Sequence, residues 1–161
     1  MTEPATSPPQ LYLGGNEVFF SFLGALLESV DRGLLTAEAL DTTLRAWGAS
    51  FPLRDGAEAR TLGLALDWTG DALASLGLVR AFTPDEARGG AIKVLVMRCM
   101  IGRFVEAPRV RRGGDHTCPI APLVEGVLGS MGIPARVAPS RQGMLRADEC
   151  LLSIVPGEAR R

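Results

Sequence analysis

The sequence predicts an α+β fold, with N-terminal helices packed on a four-stranded antiparallel sheet in the order ααα-ββ-α-ββ. Three observations carry this expectation. Through the first 77 residues the apolar side chains recur at helical spacing. At Leu78 the spacing changes to the alternation of strands broken by turn residues. One apolar, helix-like run, Cys118 to Gly132, then separates two such strand pairs.

Residues 1–15 read as a disordered tail, with Pro, Ser and Thr crowding the first ten positions. The first helix is expected from about Glu17 to Asp31, with Asn16 as N-cap and Gly33 as its stop. Val18, Phe19, Phe22, Leu23, Leu26, Leu27 and Val30 form its apolar stripe. A second helix runs from the N-cap Thr36 through Trp47, with Leu40, Leu44 and Trp47 inward and Gly48 as terminator. A third spans about Ala57 to Leu76. It opens on the capping-box pair Asp55 and Glu58 and closes at Gly77. Its interior glycines, Gly63 and Gly70, each cost about 1 kcal/mol relative to Ala, so close backbone packing and a central, buried position are expected.

Leu78–Phe82 and Ala91–Ile101 read as a hairpin joined by Thr83–Gly90, with Leu95, Met97 and Cys99 on one face under period-2 alternation. Thr117 is placed to cap the fourth helix. Pro119 and Pro122 fall in its first turn, where missing N–H groups matter least, and Gly132 ends it. Leu123, Val124, Val127, Leu128 and Met131 are its inward residues. Ile133–Pro139 and Ala147–Val155 form the second strand pair. The domain expected is a single one over 16–156, made of a helical half (16–77) and a ββαββ half (78–156), with a tail at 157–161.

At 161 residues, with 47% hydrophobic and 22% charged side chains, the chain can bury a sizeable core. No apolar run has the length of a membrane span. The N-terminus has neither the basic start nor the apolar core of a signal peptide, so a reducing, cytoplasmic compartment is expected. The formal net charge of −1 divides into −6 over residues 1–79 and +5 over residues 80–161. The basic residues are interleaved with acids, and no aromatic residues accompany them. Nucleic-acid binding is therefore not expected.

Three cysteines carry the strongest chemical lead, each at the junction of two elements. Cys99 closes a strand-like run, Cys118 opens the fourth helix, and Cys150 enters the last strand. A thiol at a helix N-terminus is activated by unpaired N–H groups and the helix dipole. His116 lies two residues before Cys118. Cys99, His116, Cys118 and Cys150 supply the four N/S ligands that Zn(II) takes, or hold of an iron–sulfur cluster. The same residues also fit a redox thiol pair, or plain packing of a buried residue type. Phe19, Phe22, Leu95, Met97 and Met131 are candidates to line a pocket for a small apolar or aromatic molecule. Arg109, Arg111 and Arg112, followed by Gly113 and Gly114, are candidates to grip an anion. Nucleophile motifs, phosphate-cradling glycine patterns and paired catalytic carboxylates are absent from the sequence.

The runs VLVMRCMIGRF, HTCPIAPLVEGVLGSMG and RADECLLSIVP together resemble the C-terminal part of the vinyl-4-reductase (hydrocarbon-binding) domain family, whose fold is shared by small subunits of the TRAPP vesicle-tethering complexes. The resemblance covers about residues 78–156. It implies an α+β domain, usually a homodimer, that binds a small apolar or aromatic ligand as a sensor module or as an accessory protein of tetrapyrrole metabolism. It also implies a zinc site of one upstream Cys, a Glu and two downstream Cys. Cys118 matches the first of these and Cys150 the last. The Glu and the intermediate Cys have no counterparts, since Arg141 and Gln142 stand there, which leaves His116 and Cys99 as substitutes. The expected function is a non-catalytic small-molecule-binding or sensory module. The alternatives are a scaffold subunit of a larger assembly without ligand, or an accessory enzyme, either on a tetrapyrrole or thiol-dependent through Cys118 and His116.

Overall fold

The computed structural model describes residues 22–30, 32–51, 61–85, 91–99, 118–139 and 149–157. Among them are four helices and a four-stranded antiparallel sheet: α1 (22–30), α2 (Ala37–Ala49), α3 (Leu62–Ser75), β1 (Ala81–Asp85), β2 (Ile92–Met97), α4 (Ile120–Ser130), β3 (Ala135–Pro139) and β4 (Glu149–Pro156). The spatial order of the strands is β1-β2-β4-β3, and every neighbouring pair is antiparallel. The predicted architecture is thus the one observed.

Helix ends follow the local signals where those are described. Thr36 caps α2, its hydroxyl accepting the N–H of Ala39 at 3.1 Å. α1, α3 and α4 all stop in the same way. A glycine at positive φ (Gly33, Gly77, Gly132) is followed by a residue whose N–H reaches five positions back, as in Leu34 to Ser29, Leu78 to Leu73 and Ile133 to Leu128. α3 is capped by Thr61, which accepts the N–H of Leu64. Asp55 and Glu58, and the predicted start of that helix, lie outside the described residues.

Two expectations about the helices are corrected. α3 is not the central helix. It buries only one side (Ala65, Leu66, Thr69 and Leu73), whereas α4 buries Ile120 to Val124 and Gly126 to Leu128 and is the element at the centre of the core. The reason lies in composition: α3 alternates its apolar residues with Asp67 and Asp71, while α4 has a single charged residue, Glu125. Gly63 accordingly meets nothing, since an added methyl there would find no heavy atom within 4 Å, while one added at Gly70 would lie 3.2 Å from the Phe82 side chain. Gly63→Ala is expected to stabilise the fold by about 1 kcal/mol, read as a rise of ~2–4 °C in Tm.

Gly48 does not terminate α2 either. It is buried inside the helix, where a Cβ would overlap the carbonyl of Leu123 in α4, and a Cβ on Gly126 of α4 would overlap the carbonyl of Arg45 in α2. The two helices therefore cross backbone to backbone, glycine facing helix on both sides.

The sheet sets which side chains meet them. Val94, Val96, Leu152, Ile154 and Val137 are buried on the face toward the helices, in cross-strand register Val94↔Leu152, Val96↔Cys150 and Val137↔Ile154. α3 packs against β1, and α4 packs against β3, with α2 stacked on α4. β1 lies three residues later than the sequence suggests, with Leu78 and Val79 buried just before it. It is an edge strand, which is where Pro84 is tolerated.

Candidate functional site

β2 ends at Met97, and Arg98 adopts the left-handed region with φ 48. That single residue breaks the alternation. Leu95 and Met97 point to the face away from Val94 and Val96, half-buried and exposed respectively, whereas Cys99 turns into the core. The predicted common face of Leu95, Met97 and Cys99 is thereby corrected.

Cys150 faces the same interior from β4, as the cross-strand partner of Val96. Cys118 enters from the third direction, at the start of α4. The three junctions converge: the Cys150 side chain hydrogen-bonds with both Cys118 and Cys99. None of the three is in a disulfide; Cys99 is buried, and Cys118 and Cys150 are half-buried.

The sulfurs are not equivalent. Cys118 is pushed below the ordinary thiol range, first by the hydrogen bond from Cys150 and then by the N–H groups of Ala121 and Ile120 at the helix start; burial and the Asp41 carboxylate oppose this. Cys150 is pushed far up, because its proton is held between Cys118 and Cys99 and because it is buried. Of these two, Cys118 is therefore the sulfur that ionises first, and Cys150 is the donor that supports it. The predicted cap Thr117 lies outside the described residues.

Beside the thiols is a polar clasp that sequence reasoning missed. Glu125 is only 15% exposed at its side chain. One carboxylate oxygen accepts from Arg45 Nε of α2 at 2.5 Å, and the other accepts the Val137 N–H of β3 at 2.8 Å. One side chain of α4 thus ties the helix layer to the sheet edge. The signal was present, since Glu125 is the one carboxylate in a run of otherwise apolar residues, and a charge in that setting needs partners. The same hydrogen bond raises Arg45 above its usual value.

Asp41, one turn before Arg45, is raised by burial despite Arg45, with Glu125 adding to the rise. A carboxyl raised in the folded state binds more protons than its unfolded counterpart, so its ionisation opposes folding as pH climbs above 3.8. Asp41→Asn is therefore expected to raise Tm at pH 7, and the gain should vanish as pH falls below 3.8, where both side chains are neutral. A gain independent of pH would show that charge is not its source.

The remaining candidates divide. Phe22 is 61% exposed on α1, because the buried positions there are only Leu23 and Leu27 with Leu26 and Val30 beside them; the predicted stripe was one residue too wide. Met131 is buried at the end of α4. Phe22, Leu95, Met97 and Met131 are thus not brought to one cavity. Phe19, His116, Arg109, Arg111 and Arg112 lie outside the described residues. Among the described residues no group of three or more His, Cys, Asp or Glu is placed to hold a metal ion, and the thiol contacts run from Cys118 through Cys150 to Cys99. His116, the fourth member of the set expected for zinc or a cluster, lies outside those residues.

No protein-family model matches the chain, and no curated protein does. Among solved structures, the chain is similar to a trafficking protein particle complex subunit 3 from Naegleria fowleri covalently bound to palmitic acid. The TM-score is 0.58 at 14% identity, over 90% of this chain and 99% of that one. The fold is TRAPP-like. No helix among the described residues is long and apolar enough to cross a membrane.

Proposed function

We propose that this chain is a non-catalytic subunit of a larger assembly, a scaffold built on the TRAPP-like fold. The observation that supports it best is the extent of the likeness, which spans nearly the whole of both chains. Large apolar residues left at the surface agree with this reading. Phe22 on α1 is 61% exposed, and Leu34, just after the α1 stop, is 76% exposed. Covering such residues is what a partner subunit or a second copy would do. Light scattering on the purified chain should give a mass above that of the monomer, and Phe22→Ser with Leu34→Ser should return it to the monomer without loss of helical signal. A wild-type monomer that captures no second subunit would remove the reading.

A second reading is favoured by the thiol cluster. The Naegleria fowleri neighbour carries covalently bound palmitic acid, and Cys118 has the features of a thioester-forming nucleophile: an ionisable sulfur, half-buried, against an apolar core. In this reading the core accepts an apolar chain tethered at Cys118. Incubation with palmitoyl-CoA should add one palmitoyl group that hydroxylamine removes and Cys118→Ser prevents. Labelling spread over all three cysteines would discard it.

A further inference from the structure

We propose that Cys118 and Cys150 form a reversible dithiol–disulfide pair, with Cys118 as the attacking thiol and Cys150 as the resolving one. The two side chains are hydrogen-bonding partners, neither is in a disulfide, and both are half-buried, whereas Cys99, the third member, is buried. Accessibility therefore selects this pair from the three combinations. The two thiols also stand on different elements, the start of α4 and the start of β4. Their union would lock helix to sheet.

The chemistry closes with a small disulfide such as oxidised glutathione as oxidant. The Cys118 thiolate attacks one sulfur of that disulfide; its S–S bond breaks, and one glutathione leaves as thiolate and takes up a proton. Cys118 is then a mixed disulfide and no longer accepts the hydrogen bond from Cys150. The Cys150 thiol gives its proton to water, attacks the Cys118 sulfur and releases the second glutathione. Two protein thiols have lost two electrons, and one glutathione disulfide has become two thiols. The contact that makes Cys118 the better nucleophile, the hydrogen bond from Cys150, also places the resolving sulfur beside the adduct it must attack. Neither cysteine alone supplies both properties.

The test uses the full chain, reduced and then equilibrated in glutathione buffers of increasing oxidised fraction, acid-quenched, alkylated and peptide-mapped. The expected result is a Cys118–Cys150 cross-link that dithiothreitol reverses, with Cys99 alkylated throughout. Closing a loop between positions 32 apart should raise Tm by about 5–10 °C. Cys99→Ser should leave the cross-link intact, and Cys150→Ser should stop at a glutathione adduct on Cys118. A stable adduct on wild-type Cys118 with Cys150 free, a Cys99–Cys150 link, or disulfides only between chains would overturn the proposal. Should the Cys150 variant not fold, phenylarsine oxide on the wild-type chain decides. It should bind once per chain and protect Cys118 and Cys150 from alkylation, and protection of neither overturns the pairing.

Discussion

Gly126→Ala is expected to destabilise the fold by about 3 kcal/mol, lowering Tm by roughly 10 °C in a thermal melt followed by circular dichroism. In an isolated helix the same change would gain about 1 kcal/mol from better helix propensity. Here the added methyl falls on the carbonyl of Arg45, a backbone atom that cannot rotate away, so α2 and α4 must separate. Separation loosens the packing of Leu40, Leu44, Leu123 and Val127, all buried in the same core. Gly48→Ala meets the carbonyl of Leu123 and should cost a similar amount. Because either change forces the same displacement, the double variant should lose clearly less than the sum of the two. Additive losses would show that the two glycines act at independent places. The contrast with Gly63→Ala, expected to stabilise, makes the pair of measurements diagnostic: one substitution, opposite signs, decided by what stands opposite.

Glu125→Ala is the second large effect, expected at about 2–3 kcal/mol in urea titration. The loss has two parts. The Val137 N–H keeps its half-buried position and loses its acceptor, and Arg45 loses the carboxylate that orders it. Arg45 is 45% exposed and water can take over most of its solvation, so the larger part comes from the strand. Glu125→Gln preserves an oxygen for Val137 and should recover more than half of the loss. Equal losses in both variants would mean that the charge on Arg45, not the strand contact, is the main partner.

The thiol convergence was only half legible. That Cys99, Cys118 and Cys150 each stand at an element junction follows from the pattern of apolar residues. That Cys150 would be the middle one, interacting with both neighbours, does not. It depends on the register Val96↔Cys150 and on the left-handed turn at Arg98, which redirects Cys99 from the face of Leu95 and Met97 to the interior. Alternation extrapolated past the end of a strand gives the wrong face, because one residue of positive φ reverses it. Gly48 was misread for a related reason. A glycine late in a helix signals a stop when only the local chain is considered, and a close helix crossing carries the same residue for a steric reason that lies on another element.

What this sequence determined by itself was local: where helices start and stop, which strands alternate, and hence the α+β order. These rest on interactions between residues a few positions apart, N-caps and left-handed glycines above all. What the tertiary structure alone decided was which faces meet. α4 and not α3 is central, Glu125 clasps three elements, and three thiols share one contact chain. Such facts are set by packing between distant segments, whose partners no local spacing names.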